Sequence, residues 1–266
     1  MDSVFVPNLL AGRAALVTGG GSGIGAGIAK LFARHGAKVA LLGRTASKLD
    51  AVAAEIMASG GAVSTHPADV RDYPAIEKAV SDAIREHGRL DVVVNSAAGN
   101  FLAPAASLSA NGFRAVIDID LCGTFNTCRA AFAHISKPGG VIVNITATQA
   151  DVPTPLQAHA GAAKAGIAKL TRDLALEWGR AGVRVVAVAP GPVEGTEGMS
   201  RLAPGSEADA LEKRVPLGRY ASIDEIAESV LFLVSPAAAY VTGTTLLIDG
   251  GTSLIGAGPF LDLMGG

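Results

Sequence analysis

The sequence predicts an α/β protein with one doubly wound domain, in which a parallel sheet of about seven strands carries helices on both faces. Short and nearly continuous apolar runs, typical of strands buried on both sides, alternate with segments whose apolar residues recur at helical spacing. The chain has 266 residues, 49% of them hydrophobic and 17% charged, which suits one large core. No internal repeat or low-complexity linker divides it, so a single domain is expected over residues 1–266.

Seven apolar runs are the predicted strands. They cover residues 14–18, 38–42, 62–66, 91–95, 141–146, 183–189 and 245–248. Right-handed crossovers between parallel strands place the ligand crevice at the carboxyl ends of the strands. Residues 190–216, rich in Gly, Pro and Glu, are the least regular part of the chain. This segment is either a mobile lid over the site or an ordinary surface loop.

Composition and charge argue against several classes of function. The net charge is −2 and no block of Lys or Arg occurs, so neither nucleic acid nor an anionic membrane is an expected partner. No apolar run is long enough to span a bilayer. Cys122 and Cys128 would point to different faces of one predicted helix, so we expect no disulfide, and no metal site is predicted. The chain shows neither a secretion signal nor a Ser-Lys-Leu address, which predicts a cytoplasmic location.

A glycine-rich loop follows the first predicted strand, where residues 18–25 read TGGGSGIG and a helical pattern begins. Glycines at this spacing allow a tight strand-to-helix turn and a close approach of the backbone to a pyrophosphate. The free N–H groups at the helix start would face that anion. A glycine-rich turn without a ligand is the alternative. The predicted cofactor contacts in this loop are Gly19, Ser22, Gly23, Ile24 and Gly25.

The second predicted strand leads into Gly43 and Arg44, where a site that prefers NAD would offer a carboxylate to the ribose 2′-hydroxyl. Gly43 removes the repulsion that a carboxylate would exert on a 2′-phosphate, and Arg44 supplies a guanidinium that can clamp it. The sequence therefore favours NADPH. The alternative is a solvated arginine at a helix start.

The helix predicted over residues 111–136 places Asp120 on the same face as several apolar residues, among them Val116 and Ile117. A carboxylate on an apolar stripe is desolvated and needs a cation partner or a proton. Such an environment is common at catalytic sites, although buried structural ion pairs produce it as well.

These motifs together resemble the short-chain dehydrogenase/reductase family over residues 11–252. The glycine loop, Asn95, Lys164, the segment 190–196 reading PGPVEGT and the segment 240–251 match that family's pattern. The resemblance implies a Rossmann fold. It also implies cofactor contacts from Asp69, Val70, Asn95, Ala97, Lys164, Pro190, Gly191 and Val193. Asp69 could equally cap the helix that begins near Tyr73.

Three catalytic positions depart from the family pattern, as do Ser96, where the family has a second asparagine, and the segment 190–196, which has one extra residue before its threonine. Ala160 stands where the family has the tyrosine of Tyr-x3-Lys, Ala147 stands in place of a serine, and Asp120 replaces an asparagine. Without a tyrosine to protonate a carbonyl oxygen, an ordinary ketone or alcohol dehydrogenase is not expected. Thr146 and Thr148 flank Ala147 and either supply donors to a substrate oxygen or bond to nearby backbone.

The segment Gly99-Asn100-Phe101 resembles the 2,4-dienoyl-CoA reductases, particularly their peroxisomal branch. That resemblance implies NADPH-dependent reduction of an acyl-CoA substrate, 2,4-dienoyl-CoA, to trans-3-enoyl-CoA in the β-oxidation of unsaturated fatty acids. Asp120 and Lys164 would hold a proton-donating water, while Thr146 would serve the thioester oxygen. Asn100, Phe101 and Thr148 would line the acyl site, unless Phe101 is a core aromatic. A homotetramer is implied as well.

Two alternatives differ in kind. One is an enzyme of the same fold that acts on another activated alkene or on a carbonyl. The other is a catalytically silent NADPH-binding protein, since two of the four usual catalytic side chains are absent. Incubation with NADPH and a 2,4-dienoyl-CoA discriminates among the three.

Overall fold

The computed structural model describes residues 4–202 and 212–257 and contains seven strands. They are β1 Ala14–Thr18, β2 Lys38–Gly43, β3 Ala62–Pro67, β4 Val92–Asn95, β5 Val141–Ile145, β6 Arg184–Pro190 and β7 Thr245–Ile248. All pair in parallel in the order β3-β2-β1-β4-β5-β6-β7. The parallel sheet predicted from the apolar runs is confirmed, with strand ends that differ by no more than a residue.

Eight helices are described around this sheet. They are α1 Gly23–Arg34, α2 Ala46–Ala58, α3 Tyr73–His87, α4 Ala110–Ile117, α5 Gly123–Phe132, α6 Ala158–Trp178, α7 Glu197–Leu202 and α8 Ile223–Val234. One core cluster joins the sheet to α1, α2 and α8, and a second joins its other face to α3, α5 and α6. Helices therefore cover both faces, and the doubly wound architecture is confirmed.

The order of the strands fixes the position of the ligand crevice. The chain runs from β1 outward to β3 on one side, then returns to place β4 against the other side of β1. Loops from the carboxyl ends of β1 and β4 consequently diverge and leave a gap between them. Every residue of β1, β4 and β5 is buried, which explains their continuous apolar runs.

The long helix predicted over residues 111–136 is interrupted. A π-helical turn, Asp118–Cys122, separates α4 from α5, and α5 ends at Phe132. Ser136 lies beyond the helix because its hydroxyl donates to Asp91 Oδ1 at 2.7 Å and its backbone N–H donates to Leu90. Side chains that bond outside the helix favour its termination.

Some sequence expectations concern segments or features that are only partly described. Of the predicted lid over residues 190–216, residues 203–211 lie outside the described residues, while the described part includes α7. Within residues 4–202 and 212–257, no helix is both long and apolar enough to cross a bilayer, and no cluster of potential metal ligands occurs. Cys122 is exposed, Cys128 is buried, and both are free thiols.

Candidate active site

A cavity of about 600 Å³ opens at the carboxyl ends of the central strands. Most of the residues expected to bind cofactor or substrate line it. These are Gly19, Ser22, Gly23, Ile24, Arg44, Asp69, Val70, Ala97, Asn100, Thr146, Thr148, Lys164, Pro190, Gly191 and Val193. Gly25, Asn95, Phe101 and Asp120 are not part of the lining. The structure thus brings residues from six separate loops together at one site.

The glycine loop forms a cradle that side chains would fill. Gly19 has a φ of +66°, and a Cβ there would lie 2.8 Å from the carbonyl oxygen of Ser96. A Cβ at Gly25, below the cavity, would lie 2.4 Å from the carbonyl oxygen of Gly19. Ser22 precedes α1 but makes no side-chain cap bond, so the N–H groups of the first turn stay available to an anion. This geometry fits the pyrophosphate of a dinucleotide.

The end of β2 presents cationic side chains to the cavity. Arg44 is exposed and lines it, and Lys48 lies one helical turn later on α2. Lys48 forms an ion pair with Glu197 at the start of α7, so a bridge joins α2 to the described part of the predicted lid. Neither Lys48 nor Glu197 was singled out from the sequence, although the spacing of four from Arg44 was a readable signal for Lys48.

Asp69 lines the cavity but does not cap α3. Its carboxylate accepts hydrogen bonds from Nε and Nη2 of Arg71 at 3.0 and 2.6 Å, and this contact lowers the pKa of Asp69. Asp72 provides the cap by accepting from the backbone N–H of Ala75 at 3.1 Å. The capping alternative for Asp69 was therefore wrong.

Asn95 supports the site from inside the sheet. Its side chain is buried, and Nδ2 donates to Asn144 Oδ1 at 2.8 Å and to the sulfur of Cys128. The hydroxyl of Thr18 links the end of β1 to the loop after β4, because it accepts hydrogen bonds from the backbone N–H groups of Ser96 and Ala97. Asn95 is not part of the cavity lining, and the cofactor contact expected of it stays a prediction.

Asp120 lies in the π-helical turn and is only 1% exposed. Its Oδ1 accepts the backbone N–H of Gly99 at 2.7 Å, and its Oδ2 pairs with Lys164 Nζ at 3.1 Å. The hydroxyl of Thr124 donates to the Asp120 carbonyl at 2.6 Å and so satisfies an acceptor in the altered turn. The cation that the sequence required for this carboxylate is Lys164, and Asp120 lies behind it rather than on the cavity surface.

Lys164 reaches the cavity from α6. Its ammonium group donates to the carbonyl of Ile145 at 3.2 Å as well as pairing with Asp120. An ammonium group has three N–H bonds, so these two partners leave one for a ligand or a water in the cavity. The pair can therefore hold and orient a proton donor.

The two threonines beside Ala147 differ in what they offer. The hydroxyl of Thr146 donates to the backbone carbonyl of Lys164 at 3.0 Å, and the residue is only 2% exposed. The side chain of Thr148 has no hydrogen bond within the described part of the chain, and it lines the cavity. Of the two roles left open by the sequence, Thr146 takes the bond to nearby backbone, which leaves Thr148 as the available donor.

Ala160 occupies a tightly packed position. It is 3% exposed and lies in a small cluster with Val116 and Ala163. Its methyl group supplies no hydroxyl, and Ala160 is not part of the cavity lining.

Asn100 is held by the residues that begin α6. Its Nδ2 donates to Gln157 Oε1 at 2.7 Å, and Gln149 Nε2 donates to the same oxygen at 3.2 Å. All three side chains line the cavity. The two glutamines were missed in the sequence because glutamine has no distinctive spacing and these residues meet only through the fold.

Phe101 lies beside the cavity rather than in its lining. It is 39% exposed, and its ring meets that of His159 edge to face with the centroids 4.3 Å apart. His159 is fully buried, and neither ring nitrogen has a hydrogen-bond partner among the described residues. Phe101 is therefore not a core aromatic, and its acyl-site role stays a prediction.

The loop after β6 closes the remaining side of the cavity. A Cβ at Gly191 would lie 2.7 Å from the Cα of Asp249, so the loop packs closely against the segment after β7. Thr196 fastens the loop by donating to the carbonyl of Val193 at 2.9 Å. Met199 on α7 joins the lining and was not foreseen.

Comparison with known proteins gives a consistent set of relatives. The profile of the family described as Enoyl-(Acyl carrier protein) reductase matches residues 19–253. The peroxisomal 2,4-dienoyl-CoA reductase [(3E)-enoyl-CoA-producing] of Pongo abelii is 47% identical over 94% of this chain and 87% of its own length. The Rattus norvegicus protein of the same name is 46% identical over 94% and 86%. A probable 2,4-dienoyl-CoA reductase [(2E)-enoyl-CoA-producing] of Bacillus subtilis is 42% identical over 90% and 96%.

Solved structures agree with this assignment of relatives. A dehydrogenase/reductase from Sinorhizobium meliloti 1021 superposes with a TM-score of 0.86 at 38% identity, over 91% of this chain and 95% of its own. A short chain dehydrogenase from Burkholderia cenocepacia J2315, in complex with NADP, gives 0.85 at 34% identity over 91% and 98%.

The names of the relatives bear on location. The Pongo abelii and Rattus norvegicus proteins are both named peroxisomal. These names contradict the cytoplasmic location expected from the sequence, because they point to the peroxisome instead.

Proposed function

This chain belongs to the short-chain dehydrogenase/reductase family and is an oxidoreductase, and from that premise we propose that it reduces 2,4-dienoyl-CoA to trans-3-enoyl-CoA with NADPH. One observation carries the proposal. Lys164, paired with the buried Asp120, reaches the cavity, and among the described residues that line the cavity there is no tyrosine. A site so arranged lacks a phenol for carbonyl reduction but keeps a cation and a proton source.

The cofactor would lie across the glycine cradle with its adenosine end toward Arg44. Arg44 lines the cavity, and Gly43 offers no carboxylate that would repel a 2′-phosphate. Asp69 and Val70 would contact the adenine, while Pro190, Gly191 and Val193 would lie near the nicotinamide. A related structure in complex with NADP supports a nicotinamide cofactor at this site. When bound, NADPH would supply a hydride to the far end of the diene.

The residues of this chain would stabilise the negative charge that develops on the substrate and supply the proton that completes the reaction. Reduction of the diene places negative charge on the thioester oxygen, so hydrogen-bond donors are needed there. Lys164 has one N–H left after Asp120 and Ile145, and that N–H can hold a water beside the carbon next to the thioester. Transfer of a proton from this water to that carbon would complete the 3-enoyl product, while the ammonium group of Lys164 would return a proton to the resulting hydroxide and Asp120 would hold that ammonium group in position.

Oligomerisation is proposed on separate grounds. Phe113, Phe125 and Leu176 are 39%, 43% and 83% exposed on α4, α5 and α6. Large apolar side chains exposed on adjoining helices are typical of surfaces that another subunit covers. We propose a homotetramer that uses these helices, and light scattering after size exclusion measures its mass.

The function is tested by mixing the protein with NADPH and, in parallel, 2,4-dienoyl-CoA, 3-ketoacyl-CoA or a simple ketone. We expect rapid loss of NADPH absorbance with the dienoyl-CoA alone, and product analysis should show the 3-enoyl isomer. Comparable turnover of a ketone would identify a carbonyl reductase in which another residue replaces the tyrosine. Cofactor binding without turnover of any substrate would identify a silent NADPH-binding protein.

A further inference from the structure

Three amide side chains, Asn100, Gln149 and Gln157, form a connected group on one wall of the cavity, here named the amide cluster. Gln157 is its centre. It immediately precedes α6, and its Oε1 receives one N–H from Asn100 and one from Gln149. An amide oxygen has two lone pairs, so this oxygen is fully satisfied by its neighbours.

The other half of the Gln157 amide is not satisfied. With Oε1 fixed by two donors, the position of Nε2 is fixed as well, because the amide group is planar. Nε2 has no hydrogen-bond partner within residues 4–202 and 212–257. Gln157 is only 6% exposed, and what remains exposed faces the cavity that it lines. Nε2 is not among the side-chain atoms that are buried without a partner, so it keeps contact with the cavity and is free to donate to an acceptor on a ligand bound there.

Other hydrogen-bond donors at the cavity already donate mostly to groups of the protein. The Thr146 proton goes to the carbonyl of Lys164, and two of the three Lys164 N–H bonds go to Asp120 and Ile145. Gln157 Nε2 and the Thr148 hydroxyl line the same cavity as Asn100, and neither group has a hydrogen-bond partner among the described residues.

We propose that Gln157 Nε2 donates a hydrogen bond to the thioester oxygen of the acyl-CoA and is a catalytic residue of this enzyme. The inference rests on the proposed function, because a thioester is the substrate's acceptor that gains charge during reduction. The amide cluster holds the donor in place before the charge develops, which is the arrangement that stabilises an oxyanion most effectively. Asn100 and Gln149 are positioning residues that act through the Gln157 oxygen.

The test separates the N–H donor from the cluster that holds it. Gln157→Glu keeps the two acceptor contacts and the side-chain length but removes the N–H and adds negative charge beside the thioester. Gln157→Met removes both functions with little change in volume. Gln149→Met tests the positioning role separately, since it removes one neighbour of Oε1 and leaves the Gln157 N–H in place.

Two quantities are measured for each variant. The first is kcat with NADPH and 2,4-dienoyl-CoA, which should fall about 10²- to 10³-fold in both Gln157 variants and much less in Gln149→Met. The second is binding, with NADP⁺ present, of an acyl-CoA thioester against its thioether analogue, which has no carbonyl oxygen. Wild type should prefer the thioester by up to about tenfold, and Gln157→Met should lose that preference.

A Gln157 variant that binds NADPH normally but keeps the thioester preference or turns over within about threefold of wild type would overturn the inference. Thermal unfolding and NADPH titration identify a variant that has merely failed to fold, and for such a variant Gln157→Glu supplies the binding comparison. The binding comparison needs no turnover. It therefore tests the N–H contact even where wild type fails to reduce dienoyl-CoA, an outcome that would refute the proposed function separately.

Discussion

Lys164 and Asp120 illustrate how single side chains define the chemistry of this site. Lys164 is held at two of its three N–H bonds, and Asp120 uses one oxygen for Lys164 and the other for the backbone of Gly99. These groups come from four different parts of the fold: α6, the π-helical turn, β5 and the loop after β4. The pair thus positions the ammonium group and also anchors the loop that carries Asn100.

Replacement of Arg44 by Ala tests the cofactor preference at the residue scale. We expect the KM for NADPH to rise markedly and the KM for NADH to change little, because only NADPH has a 2′-phosphate to lose. A charge-assisted contact of this kind contributes roughly 1.5 to 3 kcal/mol. Lys48→Ala is the control for a nearby cation, since Lys48 is paired with Glu197. Equal effects of Arg44→Ala on both cofactors would refute the assignment.

Replacement of Ala160 by Tyr restores the residue that the family pattern has at this position, but we expect no gain of ketone reduction. The site is buried against Val116 and Ala163, so the larger side chain should destabilise the fold by about 1 to 3 kcal/mol. Denaturant unfolding measures the stability, and NADPH oxidation with a ketone measures the activity. A stable variant that reduces ketones would show that packing does not exclude the tyrosine.

At the scale of elements, the buried strands were predictable and the helical turn around Asp120 was not. β1, β4 and β5 are buried on both faces, so their apolar runs identified them directly. The π-helical turn Asp118–Cys122 has no comparable signal in the sequence, and the residues that Asp120 contacts there, Lys164 and Gly99, are distant along the chain. The burial of Asp120 was nevertheless predicted correctly from the apolar residues on the same helical face.

The edge of the sheet contains a buried pair of histidines that should make stability depend on pH. His66 on β3 and His87 on α3 both contact the hydroxyl of Ser64 through Nε2, at 2.8 and 2.9 Å. Burial lowers the pKa of both histidines below 6.5. As the pH falls through 6.5, these histidines become protonated in the unfolded chain before they do so in the folded protein. The free energy of unfolding should therefore decrease as the pH falls.

The measurement is the free energy of unfolding between about pH 7.5 and pH 5.5, for wild type and for His87→Gln. Wild type should lose stability across this range, and the variant should lose less because one of the two histidines no longer titrates. Carboxylates contribute little here, since their shifts concern lower pH, as for Glu225, whose pKa is about 2. Identical slopes for the two proteins would contradict the account.

At the scale of the whole molecule, the sequence predicted one doubly wound domain and the edge of the sheet that carries the site. The described residues confirm the parallel sheet and its two layers of helices. The amide cluster could not be predicted from the sequence, because its three residues come into contact only where the segments after β4 and β5 meet at the start of α6. Motifs fixed by backbone geometry are readable in one sequence, whereas clusters of ordinary polar residues are not.

We propose that the buried Asp120–Lys164 pair, rather than a tyrosine, supports proton transfer in the reduction of dienoyl-CoA. Asp120→Asn keeps the shape of the side chain, and its amide oxygen can still accept the Gly99 N–H, so the fold should survive. It removes the charge that holds Lys164, and general acid-base participation of this sort contributes about 10²- to 10⁴-fold.

The most direct measurement is single-turnover NADPH oxidation with a 2,4-dienoyl-CoA, wild type against Asp120→Asn, together with a titration of NADPH binding. We expect the rate of Asp120→Asn to fall by about 10²- to 10⁴-fold while its affinity for NADPH stays nearly constant. An unimpaired rate would contradict the proposal, as would a loss of NADPH affinity in step with the rate, which would make Asp120 a support of the cofactor site alone.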